Sequence, residues 1–315
     1  MTVGAAGGAG TPGRVLLTGA QGFTGEPLAR ALRDAGHTVV GTTIGDLATP
    51  SGDLAGIAFE SLDIGDAKRC VELVDAVRPD YVVHLAAISF VQHADAADFY
   101  RINVVGTTNL LDALVAAGRP LRKVVLASSA NIYGQHGGEL IDERQPAAPA
   151  NHYAASKMAM EAMAATYFER LPIVVTRPFN YTGPGQSESF LVPKIVSHFA
   201  RGERTIELGN TEIERDFSDI DAVVSAYVAL LASPARSQVF NICTGVPVSL
   251  KAIIAMMEEI AGYRIDVRVN PAFVRANDIR RLTGDPRALV AAIGPHPRKD
   301  FRETLRAMYE RMRAA

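Results

Sequence analysis

An α/β fold is predicted, with a doubly wound parallel sheet and a smaller C-terminal lobe. Three observations carry that expectation. From Arg14 onward, short apolar runs alternate with amphipathic segments, the order that builds a parallel sheet with helices on both faces. The first run, Val15-Leu16-Leu17-Thr18, breaks into glycines and enters an amphipathic stretch, Glu26 to Ala35, with Leu28, Ala29 and Leu32 on one face. The chain has 315 residues, 48% hydrophobic and 21% charged, enough for one large core and a second lobe.

Bulk properties narrow the classes. A net charge of −2 without a basic stripe gives no support for nucleic-acid or membrane partners. No stretch has the length of a membrane span. Cys70 and Cys243 lie far apart in apolar surroundings and read as buried thiols in a reducing compartment. The seven histidines show no metal-ligand spacing, so no metal is expected. Residues 1–13 are Gly/Ala-rich, carry no charged side chain and lack the apolar run of a signal peptide. They read as a flexible leader, with the cytoplasm as the default location.

Taken in order, the first strand, turn and helix form the arrangement a dinucleotide site needs. The turn is Gly19-Ala20-Gln21-Gly22-Phe23-Thr24-Gly25. Glycines let the backbone approach a pyrophosphate, and the helix that follows aims its free N–H groups and positive dipole end at the phosphates. Thr38 to Thr42 is the second strand. It ends in Gly41-Thr42-Thr43-Ile44, with no acid before Asp46 to hold a ribose 2′-hydroxyl and no arginine in that place. NADP therefore fits somewhat better than NAD.

Ile57 to Leu62 is the third strand, followed by Asp63-Ile64. Asp63 is placed either to accept from an adenine amino group or to cap the helix that begins near Asp66 and runs to Val77. Arg78-Pro79 stops that helix. Tyr81 to Leu85 is the fourth strand, and Ala86-Ala87 after it leave room for a cofactor. Asp95 to Ala117 is a long helical stretch whose apolar flanks suit a dimer face. Lys123 to Leu126 is the fifth strand, and it leads into Ser128-Ser129.

The chemistry centres on Tyr153-Ala154-Ala155-Ser156-Lys157. Helical spacing puts Tyr153 and Lys157 on one face, a turn apart. A free tyrosine titrates near pH 10. A neighbouring ammonium and an oxidised nicotinamide favour the phenolate, so Tyr153 can exchange a proton while a hydride moves. Lys157 can also hold the nicotinamide ribose, and Ser129 at the preceding strand end can donate to the same substrate oxygen.

At this point the chain resembles the extended short-chain dehydrogenase/reductases. The carrying motifs are Thr18 to Gly25, His84-Leu85-Ala86-Ala87, Ser128-Ser129, Tyr153 to Lys157 and Arg177-Pro178-Phe179-Asn180. The resemblance covers nearly everything from Arg14 onward and implies a Rossmann-type domain acting on nucleotide-activated sugars. It implies Ser129, Tyr153 and Lys157 as the catalytic trio and Asn103 as the structural asparagine of the long helix. The implied cofactor contacts are the Gly19, Gln21, Gly22, Phe23, Thr24 and Gly25 turn with Thr42, Thr43, Asp63, Ile64, Leu85, Ala86, Ala87, Asn103, Tyr153, Lys157 and Pro178.

Three reactions compete: 4,6-dehydration, 4-epimerisation and keto reduction. The family's dehydratases carry an acid just after the catalytic serine or threonine, whereas Ala130 and Asn131 stand here, and neither is a general acid or base. The second half, with Asn180-Tyr181-Thr182-Gly183-Pro184, Glu214-Arg215-Asp216-Phe217 and Arg275-Ala276-Asn277-Asp278, is similar to the GDP-4-keto-6-deoxy-D-mannose reductases. That similarity implies substrate contacts from Ser129, Asn180, Val192, Lys194, Arg215, Arg275 and Asp278. Lys194 reads equally as a solvated helix lysine, and Arg215 as a surface ion pair with Asp216 or Asp219. The loop at Arg275 lacks the proline that relatives carry after the arginine.

The expectation is therefore a dinucleotide-binding domain over 14–178, with a return at 216–244, and a substrate lobe over 179–215 and 245–315. The expected function is NAD(P)H-dependent reduction of GDP-4-keto-6-deoxy-D-mannose to GDP-D-rhamnose. A 4-epimerase is the alternative, with a dehydratase or a non-catalytic dinucleotide-binding protein behind it. The resemblance also implies a homodimer.

Overall fold

The computed structural model describes residues 11–45, 52–89, 95–135, 140–273 and 279–314. Most of the expected leader, together with Asp46, Arg275 and Asp278, lies outside them. In chain order the first half comprises β1 (Arg14–Thr18), α1 (Gly25–Asp34), β2 (Thr38–Thr43), β3 (Ala58–Ser61), α2 (Ala67–Val77), β4 (Tyr81–His84), α3 (Ala96–Tyr100), α4 (Thr107–Ala116), β5 (Lys123–Ala127), α5 (His152–Ala165) and β6 (Ile173–Pro178). The second half adds β7 (Asn180–Thr182), α6 (Leu191–Ala200), β8 (Thr205–Leu208), β9 (Glu214–Asp219), α7 (Ile220–Ala232), β10 (Gln238–Ile242), β11 (Pro247–Ser249), α8 (Leu250–Ala261), β12 (Asp266–Val269), β13 (Arg281–Leu282), α9 (Arg287–Ile293) and α10 (Phe301–Ala314).

Seven strands form one sheet in the order β10-β6-β5-β4-β1-β2-β3. Every pairing in it is parallel. The order reverses between β1 and β4, which opens a crevice at the strand C-termini where ligands of such sheets bind. The central strands are apolar on both faces because helices cover both. Leu16, Val82, Val124 and Leu126 pack under α2 and α4, whereas Val15, Leu17, Val83 and Val125 pack under α1 and α7. Each such buried aliphatic contributes about 2 kcal/mol of hydrophobic stabilisation.

The expected strands all form, with ends displaced by a residue or two. Two helical details differ from the sequence reading. Asp66, not Asp63, caps α2, accepting from Arg69 N at 3.1 Å. Asp63 instead accepts from Gly65 N at 2.8 Å, in a turn ahead of the helix. The long stretch from Asp95 is not one α-helix: a π-helical turn over Arg101–Gly106 joins α3 to α4. Such turns recur at functional sites, and here the turn carries Asn103.

Outside the main sheet, β9 pairs with β7, β11 and β13, and β8 pairs with β12. A third core, built on Ile195, Phe199, Leu250, Ile253, Met257 and Leu305, joins α6, α8 and α10. Within 216–244, residues 216–219 lie in the small sheet, while α7 covers the main sheet and β10 is its edge strand. Asp216 ties the parts together. It is fully buried and accepts from Thr244 N and Oγ1, Gly245 N and Gly284 N.

Candidate active site

The glycine turn sits where β1 runs into α1. Gly19 has φ +70°, and a Cβ there would lie 2.9 Å from Ala86 N. A Cβ at Gly25 would meet the Gly19 carbonyl oxygen at 2.1 Å. The turn is therefore closed as tightly as backbone allows, and α1 begins without a side-chain cap. Ala20 N donates to the Thr42 carbonyl at 3.0 Å, and Thr43 Oγ1 donates to Gln21 Oε1 at 2.7 Å. These bonds bring the turn and the end of β2 together. Ala86 N closes on Thr18 Oγ1 at 3.2 Å, which adds the end of β4.

Behind that edge, hydrogen bonds fix the state of His84. Thr107 Oγ1 donates to the Asn103 carbonyl at 2.8 Å, so it accepts from His84 Nε2 at 2.9 Å. His84 Nδ1 then accepts from Thr18 Oγ1 at 2.7 Å. Burial, reinforced by the Lys157 charge, pushes the imidazole down to about 3, so it stays neutral.

The expected catalytic trio is enclosed: Ser129, Tyr153 and Lys157 are 9%, 8% and 5% exposed. Asn151 caps α5 by accepting from Ala154 N at 2.8 Å, and Tyr153 and Lys157 follow on its first turns. Lys157 Nζ donates to the Ala127 carbonyl at 2.8 Å, at the strand end that leads into Ser129. Burial pushes Lys157 down to about 8, with the Glu161 carboxylate pulling it up. Burial pushes Tyr153 up to about 12, opposed by the hydrogen bond with Ser129. In the protein alone desolvation outweighs the Ser129 hydrogen bond, so Tyr153 rests as a phenol; the expected phenolate also calls on the charge of an oxidised nicotinamide.

Asn103 is fully buried, and its amide holds neighbouring structure. Its Oδ1 accepts from Ile88 N, and its Nδ2 donates to Ile88 O and Ser156 Oγ. This clamps the segment after β4 to α5, so Asn103 supports the crevice through other residues. The Ile64 side chain is likewise buried, packed against Gly106, and offers a ligand only its main chain. Gln21, Gly22 and Asp63 are exposed, Phe23, Thr24, Leu85, Ala86 and Ala87 are half-buried, and Pro178 is buried at the end of β6.

The expected substrate residues are spread over the small lobe. Asn180 is exposed at the start of β7, paired beside Phe217 of β9. Val192 is 2% exposed, its side chain packed in the core that α6 shares with α8 and α10. Lys194 is half-buried: Nζ donates to the Glu207 carbonyl at 3.2 Å in an exposed setting and lies 4.6 Å from the Phe273 ring centre. Arg215 Nη1 donates to the Glu214 carbonyl at 2.9 Å. Its expected partners are committed elsewhere: Asp216 as described, and Asp219 to Asp221 N, Thr304 and Lys299.

Sequence reasoning missed two residues. Tyr181 bonds Thr24 Oγ1 at 2.8 Å and stacks on Phe23, with ring centres 5.9 Å apart. Glu161, one turn beyond Lys157, forms a buried ion pair with Arg177. A further i+4 step from Tyr153 and Lys157 could have flagged Glu161, whereas nothing local marks Tyr181.

Fold, glycine turn and trio define an extended short-chain dehydrogenase/reductase. The chain belongs to the GDP-mannose 4,6 dehydratase family, whose model matches residues 16–308. It is 34% identical to a GDP-6-deoxy-D-talose 4-dehydrogenase from Aggregatibacter actinomycetemcomitans, over 95% of this chain and 96% of that protein. It is also 34% identical to a GDP-6-deoxy-D-mannose reductase from Pseudomonas aeruginosa, over 73% and 79%. Among solved structures, a Burkholderia cenocepacia J2315 protein described as a suggested epimerase matches with TM-score 0.91 and 44% identity, over 98% and 100% of the two chains. RMD from Pseudomonas aeruginosa, solved with NADPH, matches with TM-score 0.81 and 29% identity, over 98% and 99%. A UDP-glucose 4-epimerase from Thermus thermophilus, solved with NAD, matches with TM-score 0.84 and 29% identity, over 96% and 99%.

Proposed function

We propose that the chain uses NADPH or NADH to reduce the 4-keto group of a GDP-activated 6-deoxyhexose, converting GDP-4-keto-6-deoxy-D-mannose to GDP-D-rhamnose. The observation that carries this reading is the enclosed trio, where burial favours the phenol form of Tyr153 that a reduction starts from. The two GDP-sugar relatives support the carbon involved, because 6-deoxy-D-talose and 6-deoxy-D-mannose differ only in configuration at C4. One 4-ketone lies between both. Membership of a dehydratase-named family does not bring dehydration with it, since Ala130 and Asn131 supply no acid beside Ser129.

The residues present fit a dinucleotide. Gly19 and Gly25 leave a turn with no Cβ in the way, α1 offers uncapped amides, and Ser128 Oγ beside the trio is buried without a hydrogen-bond partner among the described residues. The turn from Gly19 to Gly25, Thr42, Thr43, Asp63, Leu85, Ala86, Ala87 and Pro178 would hold it. Bound in reduced form, the nicotinamide supplies the hydride for C4. Tyr153 gives its phenolic proton to the developing C4 alkoxide, and hydride plus proton complete the reduction. Ser129 orients the carbonyl by a hydrogen bond to the same oxygen, and Lys157, anchored on Ala127, holds ribose hydroxyls. Asn180, Lys194, Arg215, Arg275 and Asp278 are proposed for the nucleotide diphosphate, where guanidinium groups suit phosphate.

We also propose a homodimer through the long helix and α5, where Tyr100, Val105 and Met158 are exposed. Light scattering should give twice the chain mass.

A 4-epimerase is the second reading, favoured by the suggested activity of the 44% identical structure. Supplying NADPH and GDP-4-keto-6-deoxymannose separates the two. Stoichiometric cofactor oxidation supports the reductase, whereas C4 inversion of a GDP-hexose without net oxidation supports the epimerase.

A further inference from the structure

Thr24 and Phe23 form the exit of the glycine turn, and both are met by one residue that lies 157 positions along the chain from Thr24. Tyr181 stands on β7 beside Ser218 of β9, outside the sheet that carries the turn. Its hydroxyl is 2.8 Å from Thr24 Oγ1, and its ring lies nearly parallel to Phe23, at 11°. The Tyr181 phenol also faces that of Tyr153 closely enough to disfavour its ionisation. Tyr181 therefore ties the turn to a strand outside the sheet that carries it.

A loop of small residues beside an uncapped helix gains most from such a tie. Gly22 and its neighbours have few side chains to hold them, and a ligand that must order the loop on binding loses affinity in doing so. Burial of the stacked pair against the α1–α7 core gives the contact a rigid base.

We propose that Tyr181 is a positioning residue for the dinucleotide, holding Phe23 and Thr24 in binding geometry before the cofactor arrives. This rests on the dinucleotide reading above.

The test is a double-mutant cycle on the full chain, with Tyr181→Phe, Thr24→Val and the pair, each titrated calorimetrically with NADPH and NADH. Tyr181→Phe keeps the stacking and deletes one hydrogen bond, so affinity should fall about fivefold. Thr24→Val should cost at least as much, since Thr24 also lies in the turn that would hold the cofactor, and the double variant little more than Thr24→Val alone, because both single changes delete the same bond. In turnover, the cofactor KM should rise by more than kcat falls. Unchanged affinity in Tyr181→Phe, or losses that multiply in the double variant, would overturn the proposal. A merely structural tyrosine would lower the melting temperature and leave no such coupling. If the unaltered chain binds neither dinucleotide, the underlying reading fails and the proposal falls with it.

Discussion

Arg177 and Glu161 form a two-pronged ion pair between β6 and α5. Arg177 Nη2 lies 2.6 Å from Glu161 Oε2, and Nε lies 3.0 Å from Oε1. Both side chains are 11% exposed. Arg177 Nη1 donates further to Tyr133 Oη at 2.9 Å, and Tyr133 donates to Asn241 Oδ1 at 2.7 Å. The pair thus links α5 to β10. Glu161→Gln should cost about 3 kcal/mol, because a buried guanidinium loses its counter-charge. It should also lower the pKa of Lys157, which Glu161 holds up against burial near 8. If the ammonium is the working form, activity falls as pH rises through that value. The alkaline limb of the kcat/KM profile should therefore move to lower pH in Glu161→Gln. A limb that stays in place would remove Glu161 from the tuning of Lys157.

His84 sets the acid limb of stability. Its folded pKa, about 3, lies below the unfolded value near 6.5. The unfolded chain therefore binds the extra proton, and stability present above pH 6.5 is lost as pH falls toward 3. Between pH 8 and pH 5 this one group removes about 2 kcal/mol. Urea unfolding at the two values should show that loss reduced in His84→Gln, even though the variant starts less stable. An equal loss in both proteins would show that His84 does not govern it.

Gly25→Ala tests the closed turn. The new Cβ would meet the Gly19 carbonyl oxygen at 2.1 Å, and backbone cannot swing away as a side chain can. Dinucleotide affinity should drop by at least tenfold, read by quenching of reduced-cofactor fluorescence. Gly118→Ala, where no described residue lies within 4 Å of the added Cβ, is the control, although its φ of +61° carries a local strain of about 1 kcal/mol.

Thr43→Asp tests the cofactor preference. The Thr43 hydroxyl now bonds Gln21 at the end of β2, where a carboxylate would repel a 2′-phosphate and accept from a 2′-hydroxyl. The KM ratio should swing from NADPH toward NADH by about tenfold. An unchanged ratio would place the discrimination elsewhere.

Much of this was legible in sequence because it is local. Alternating runs specify the parallel sheet, the Gly19-Gly22-Gly25 spacing specifies the turn, and the i,i+4 step places Tyr153 and Lys157 together. What escaped depends on contacts between distant segments. Tyr181 reaches Thr24 only once β7 pairs with β9, and Asp216 gathers four donors only once Thr244 and Gly284 arrive. The capping of α2 went to Asp66 because only it precedes the first helical residue. The π turn has no periodicity a short stretch reveals. The expected phenolate depends on the charge of a bound oxidised nicotinamide; in the protein alone, burial holds Tyr153 as the phenol, an effect that sequence spacing does not register.

The central claim is hydride delivery to a sugar C4 ketone with Tyr153 as proton donor. The most direct measurement follows NADPH absorbance with freshly made GDP-4-keto-6-deoxymannose, for the unaltered chain and for Tyr153→Phe, with the product identified by NMR. One cofactor oxidised per 6-deoxy sugar nucleotide formed, and a kcat about 1,000-fold lower in Tyr153→Phe, is the result expected. No oxidation by the unaltered chain, or near-normal turnover in Tyr153→Phe, would contradict it.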